Sequence, residues 1–397
     1  MNDTIRIAHL SDTHLGYRAY AKVDPASGRN QRTIDVEQAF TRAIDSILDL
    51  KPDIIIHAGD VFHQSRPSWH AIRHFVREMR RIENAGIPTL VIAGNHDTPR
   101  LRTDGSVYSV LELALPAIRF VADYDLVTET NEFAQHNVRV QALPHGALTN
   151  DDPPLTRVAS GKRNILVSHG VVPGAMPENA HGEPGEQYLD ANLLDPEFDY
   201  IALGHYHVYS EAKPRTWYSG STERFGFGDA DASPGYAMVE LGDNHEFPNV
   251  RHIDIDARPM LSLEPLYGGL KPARDIADQI LGKLEHLGQL DAMVSISLRD
   301  IERPVRREVE SIVRRESPSF VWLAHFIAER QMLLDPETSR ETIQTADLRT
   351  LFAQFVQEKT GSPLTKDFAT RFLERGDRAL EHALLTAEPD ESDGGAT

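Results

Sequence analysis

The chain has 397 residues, 40% hydrophobic and 25% charged, enough to bury a full core and to divide into more than one domain. It contains no cysteine, which excludes disulfides, thiolate metal sites and cysteine nucleophiles. Its 60 acidic residues against 41 basic ones give a formal net charge of −19, which argues against gripping nucleic acid by bulk charge but leaves local surfaces open.

The N-terminus, MNDTIRIAHL, lacks the basic start and apolar core of a signal peptide. No apolar run approaches the roughly 20 residues that cross a bilayer, so a soluble, cytoplasmic protein away from membranes is expected. Ile5–Leu10 reads as a first buried strand and ends in Ser11-Asp12-Thr13-His14. Val36, Phe40, Ala43, Ile44 and Ile47 recur at helical spacing and lead into a second strand, DIIIHAGDVFH at Asp53–His63. A helix over Ser68–Ala85 stops at Gly86 and Pro88, and the strand Thr89–Ala93 ends in Gly94-Asn95-His96-Asp97.

Strand, helix and strand at this spacing predict a largely parallel sheet. After a helix near Ser106–Leu115 the pattern becomes strands with little helix between them. These are Val138–Leu143, Asn164–Ser168, Tyr200–Leu203, Trp217–Ser219 and Tyr236–Leu241, and they predict a second sheet packed on the first. Met176–Gln187, rich in Pro, Gly and Glu, reads as a surface loop.

Composition shifts near Pro259. Helices over Pro272–Leu287 and Val305–Arg315 alternate with strands over Met293–Leu298 and Phe320–Ile327, a small α/β unit of its own. The expected division is a main domain over 1–258, a small α/β domain over 259–330, a linker over 331–346, a helix pair over 347–387 and a disordered tail over 388–397. The fold class is therefore α/β, a two-sheet sandwich with a smaller α/β unit and C-terminal helices.

Five fragments each follow an apolar strand and end in metal-binding side chains. They are Asp12-x-His14, Asp60-x-x-His63, Asn95-His96-Asp97, His169 and His205-x-His207. Residues two apart in extended chain point the same way, so Asp12 with His14, and His205 with His207, are expected to converge. Carboxylate, imidazole and amide oxygen suit Mn²⁺, Fe²⁺ or Zn²⁺. Two such ions ~3.5–4 Å apart clamp a phosphate and lower the pKa of a bridging water. Each fragment alone has an ordinary explanation, as a turn or a hydrogen-bonded core histidine. Five in this order, each at a strand end, point to a dinuclear site with Asp60 shared.

This five-part pattern is similar to that of the calcineurin-like metallophosphoesterases. Within them the chain resembles the SbcD, or meiotic recombination eleven, family of DNA double-strand-break repair nucleases. SDTHLGY at Ser11–Tyr17, GDVFHQSRPS at Gly59–Ser68 and YSGSTERFGFGD at Tyr218–Asp229 carry that resemblance, His63 most of all.

The resemblance implies two Mn²⁺ ions, other divalent ions being alternatives, one on Asp12, His14, Asp60 and His207 and one on Asp60, Asn95, His169 and His205. It makes His96 the general acid for the leaving 3′ oxygen, with Asp97 orienting its ring and His63 contacting the phosphate. It also implies a homodimer through the helices at Ser68–Ala85 and Ser106–Leu115, a role that Ile72, Phe75, Val107 and Leu111 fit, as they equally fit ordinary core packing. The domain over 259–330 becomes a DNA-positioning cap, and the C-terminal helices dock on an SMC-like coiled-coil ATPase, SbcC. The implied activity is a Mn²⁺-dependent 3′→5′ exonuclease and hairpin or single-strand endonuclease. The alternative is a generic phosphoesterase acting on a small phosphodiester or phosphoprotein, which the charge of −19 favours.

Overall fold

The structure is a computed structural model that describes residues 4–122, 124, 128–130, 133, 137–149, 158, 162–176, 186–194, 197–242 and 247–327. The expected linker, helix pair and tail, and most of the Met176–Gln187 loop, lie outside the described residues.

In chain order the elements are β1 (Ile5–Leu10), α1 (Gln31–Leu50), β2 (Ile54–His57), α2 (Trp69–Ala85), β3 (Thr89–Ile92), α3 (Tyr108–Ala114), β4 (Ile118–Val121), β5 (Thr128–Thr130), β6 (Val138–Leu143) and α4 (His145–Leu148). There follow β7 (Arg163–His169), α5 (Ala191–Leu194), β8 (Tyr200–Gly204), β9 (Ser210–Lys213), β10 (Thr216–Tyr218), β11 (Gly235–Leu241) and β12 (Asn249–Asp254). The last are β13 (Met260–Ser262), β14 (Leu266–Tyr267), α6 (Ala273–Leu287), β15 (Met293–Ile296), β16 (Leu298–Arg299), α7 (Arg303–Glu316) and β17 (Leu323–Phe326).

Two six-stranded sheets run in the orders β12-β11-β1-β2-β3-β4 and β5-β6-β7-β8-β10-β9. Strands β1 to β4 are mutually parallel, as are β6, β7, β8 and β10. Ile5, Ile7, Ile54, Ile56, Leu90 and Ile92 on one sheet meet Val138, Val140, Ile165, Val167 and Ala202 on the other in one buried layer. The residues between them in sequence, Ala8, Leu10, Ile55 and Val91, face outward onto Phe40, Phe75 and Met79 of α1 and α2. Burial on both faces is why these strands read as continuous apolar runs.

One expectation needs correction, and one open choice is decided. Tyr236–Leu241 does not join the second sheet. As β11 it pairs antiparallel with β1, Ile7 opposite Val239, because apolar residues on both its faces find cores on both sides of the first sheet. Phe75 and Leu111, which fitted a dimer face and core packing equally, are fully buried in the chain's own core. The exposed apolar side chains of α2 and α3 are Trp69, Val110 and Leu113.

Residues 260–326 build a separate core, in which α6 and α7 pack on the parallel sheet β13-β15-β17. They nonetheless form one compact unit with everything before them, up to Ile327. Arg258 is the rivet. Its guanidinium makes paired bonds to Asp35 at 2.7 and 2.9 Å, donates to the Asp291 carbonyl at 2.8 Å and lies 4.4 Å from the centre of the Trp322 ring. Among the described residues no helix is long and apolar enough to cross a membrane.

Candidate metal centre

Four of the expected ligands sit where the backbone leaves its strand in a left-handed conformation, Asp12 at φ 51°, His14 at 42°, Asp60 at 55° and His205 at 112°. Such a backbone costs of order 1–3 kcal/mol per residue and persists only where surrounding structure enforces it. The enforcement here is direct. Asp12 N–H donates to the Gly59 carbonyl at 3.0 Å, His14 N–H to the Asp60 carbonyl at 3.0 Å, and His205 N–H to the Asp12 carboxylate at 3.1 Å. The Asp-x-His and His-x-His pairs thus converge by turning sharply, and the expected extended geometry is absent. Gly94 lets two strand ends approach, since a Cβ there would run into the Asp60 carboxylate and backbone nitrogen.

The side chains meet in two overlapping groups. His14 Nε2 lies 3.2 Å from His207 Nε2, 3.6 Å from Asp60 Oδ2 and 4.0 Å from Asp12 Oδ1. His169 Nε2 lies 3.5 Å from the same Asp60 Oδ2 and 2.9 Å from Asn95 Oδ1, which is 3.4 Å from His205 Nδ1. Donors around an ion bound at ~2.1 Å stand about 3–3.4 Å apart, close to these separations. One Asp60 oxygen is common to both groups. The other accepts the His96 N–H at 2.9 Å, so the backbone aims it.

The outer nitrogens of three ligands are held, which fixes how each ring presents its lone pair. His169 Nδ1 faces the Ala58 carbonyl at 2.7 Å and must donate to it, leaving Nε2 inward. His205 Nε2 meets Glu186 Oε2 at 3.3 Å, leaving Nδ1 inward. His207 Nδ1 meets Asp229 Oδ2 at 3.5 Å, leaving Nε2 inward. Glu186 and Asp229 were given no role by sequence reasoning. Asp229 ends a quoted motif, and only its distance to His207 reveals the pairing.

The donor set fits divalent cations. Asp12 and Asp60 are buried, and among the described residues neither pairs with a lysine or arginine. Buried carboxylates without compensating charge are costly, and Asn95 Oδ1, Asp60 Oδ2 and, when that ring is neutral, the inward nitrogen of His169 offer three lone pairs to one point. Burial pushes the Asp12 carboxyl up to about 6 against the pull of His169 and His207. Burial alone would lower His169, yet Asp60 and Asp12 hold it up to about 9, a proton answering the same demand for positive charge.

His63 and His96 flank this cluster, their rings stacked at 5.1 Å and each in edge contact with His14. The expectation that Asp97 orients His96 is not met. The His96 Nδ1–H points to the His63 carbonyl at 2.9 Å, while the fully buried Asp97 carboxylate accepts the N–H groups of Val61 and Phe62 and the Tyr108 hydroxyl. Burial and the Asp60 charge push Asp97 up to about 6. Asp97 therefore ties the Gly94 turn to the loop after β2 and bears on His96 only through that loop. Phe225 and Tyr17 wall the other side, the Phe225 ring 4.7 Å from His14 and 4.9 Å from His207.

Beside His63 a cleft of about 500 Å³ is lined by Arg18, Arg29, Arg66 and His70. Two of these arginines are paired within the chain, Arg29 with Glu37 and Arg66 with Asp104 at 2.9 Å, so the cleft's positive charge is partly offset and a bound phosphate would share those guanidiniums.

Residues 5–209 match the family model described as calcineurin-like phosphoesterase. The chain is 25% identical over 371 residues to the DNA double-strand break repair protein Mre11 of Thermoplasma acidophilum, covering 88% of this chain and 90% of that one. It is 29% identical over 298 residues to the Haloferax volcanii protein of the same name, covering 74% and 61%. A third relative so named, from Sulfurisphaera tokodaii, is 32% identical over 204 residues, covering 51% and 49%. The chain thus spans from about half to nine-tenths of these relatives' lengths. The match takes in β1 through β8 and every expected ligand from Asp12 to His207, and the chain belongs to the calcineurin-like phosphoesterase family.

Proposed function

We propose that this protein is a Mn²⁺-dependent DNA nuclease, working 3′→5′ on duplex ends and cutting hairpins or single strands, as the nuclease subunit of an SbcCD-type repair complex in the cytoplasm. The observation that carries the reading is the shared Asp60 oxygen between two imidazole-rich donor groups, with the His63–His96 pair and an arginine-lined cleft beside it. The names of the relatives support DNA as substrate.

On this reading Asp12, His14, Asp60 and His207 hold one ion, and Asp60, Asn95, His169 and His205 the other. When bound, the two ions supply charge to a phosphate and acidify a water. His96 carries the proton. Its Nδ1–H is fixed on the His63 carbonyl, so Nε2 delivers a proton to the leaving 3′ oxygen. His63, stacked on that ring, meets the phosphate, and Arg18, Arg29 and Arg66 receive the flanking phosphates along the cleft. A homodimer would form through the exposed Trp69, Val110 and Leu113, and the helices expected over 347–387 would dock the coiled-coil ATPase. Residues 259–327 position the DNA.

The net charge of −19 favours the other reading, a phosphoesterase for small phosphodiesters or phosphoproteins. A labelled duplex incubated with Mn²⁺, Mg²⁺ or chelator, beside a nitrophenyl phosphodiester, separates the two. Cleavage of the small ester with DNA left intact, even when the ATPase is added, refutes the nuclease. His96→Ser should retain both ions and lose cleavage; loss of the ions would remove its role as the acid.

A further inference from the structure

Beyond the metal centre the aromatic wall continues into a second cluster that the phosphate chemistry does not use. Phe227, two residues after Phe225, stacks on His325 of β17 with ring centres 5.6 Å apart and planes 7° apart. Tyr20, three residues after Tyr17, meets His325 edge-on at 5.1 Å and Phe227 at 6.2 Å. Three rings from three distant segments therefore form one surface, continuous through the Tyr17 and Phe225 loops with the rings that touch His14, His63 and His207.

Two features set this apart from ordinary packing between the two cores. All three residues keep part of their surface exposed, whereas residues that merely filled the junction would be covered. Tyr20 also adopts a left-handed backbone, φ 56°, a conformation costly for an aromatic residue. Asn30 holds it there, its amide donating to the Ala19 and Tyr20 carbonyls at 3.0 and 2.8 Å. The opposing strand is pinned as well. Trp322 lies between Lys22, 4.6 Å from its ring centre, and Arg258 at 4.4 Å, and the Lys22 ammonium also donates to the Trp322 carbonyl.

We propose that Tyr20, Phe227 and His325 form a stacking platform for a nucleobase of the strand whose phosphate lies at the metal centre. The inference rests on the nuclease reading, and it explains how a chain with a backbone-binding cleft would favour an unpaired or frayed end without reading sequence. Every base has a π face, and each stacked base contributes roughly 5- to 150-fold in affinity. Phosphates go to the arginine-lined cleft and the base to the uncharged rings, so the two parts of a nucleotide meet different chemistry.

The test measures binding of the full chain, with its metal, to a labelled nuclease-resistant phosphorothioate oligo-dT and to the same backbone carrying abasic residues. The parent should bind the oligo-dT at least about 10-fold more tightly. His325→Ala should bring the ratio to about one, and His325→Phe, which restores a ring, should recover it. Thermal melting of both variants checks the fold, and Phe227→Leu repeats the test from the other side of the stack. Equal affinity of the parent for both oligonucleotides, or a ratio preserved in His325→Ala and Phe227→Leu, overturns the platform. A base-dependent parent that cuts no unmodified DNA would sink the nuclease reading and leave the platform standing; cutting without base dependence does the reverse.

Discussion

Replacing Asp229 with Asn tests whether the carboxylates behind the ligands tune the metal centre. Asp229 Oδ2 stands 3.5 Å from His207 Nδ1 and accepts the Phe225 N–H at 3.0 Å, so it is held in place from a second direction. Carboxylates behind metal-bound imidazoles are worth about 10- to 100-fold in affinity. The separation is longer than a tight charge-assisted bond, and both side chains are 17% exposed, which places the expected loss near 10-fold, about 1.4 kcal/mol. Calorimetric titration of the metal-free full chain with Mn²⁺ should show one of two binding steps weakened, the one that includes His207. Glu186→Gln should weaken the other, through His205. On a His207→Ala background Asp229→Asn should add nothing, the signature of action through that ring. Unchanged binding, or equal weakening of both steps, refutes the reasoning.

Gly94→Ala drives a methyl group into the Asp60 carboxylate and backbone, so metal analysis should find both ions lost together; a variant that keeps two ions contradicts the shared role of Asp60. Asp35→Asn removes the carboxylate shared by Arg258 and the fully buried Arg32, which keeps Glu223 at 3.5 Å, and should cost about 2–3 kcal/mol in urea unfolding, against a reading of under 1 kcal/mol if the pairs are incidental. Burial holds His9 and His57 down to about 3, one ring hydrogen-bonded to the Tyr200 hydroxyl and the other to Thr13. Their folded affinity for protons is lowered, so the unfolded chain binds more protons below about pH 6.5, and the stability they contribute is present above that value and lost as pH falls toward 3. At pH 4.5 each should remove about 2–3 kcal/mol, and in chelated protein His57→Gln should flatten the slope of stability against pH; an unaltered slope argues against a buried neutral ring.

Much was legible in the sequence because the chemistry is concentrated at strand ends. Apolar runs such as Ile54–Ile56 and Ile165–Val167, short and rich in β-branched residues, read as buried strands, and the polar residues that follow them emerge along one sheet edge. The seven expected ligands therefore come together as the strand endings foretold. Asp97 was misjudged because adjacency to His96 in sequence says nothing of where its carboxylate goes. The turn sends it back to the Val61 and Phe62 amides. Phe75 and Leu111 stayed open between two readings because a helix stripe looks the same whether it covers its own core or a partner.

What the sequence by itself supplies is a set of candidate donors and their order along the chain, since ligand chemistry belongs to residue type. Only the tertiary structure decided that β11 completes the first sheet, that Asp12, His14, Asp60 and His205 converge through left-handed turns, and that Glu186, Asp229 and the Ala58 carbonyl stand behind the histidines. These depend on distances between segments up to about two hundred residues apart, set by register and packing that no local pattern encodes. The Tyr20–Phe227–His325 surface is the same kind of fact, drawn from three segments that meet only when the two cores are joined.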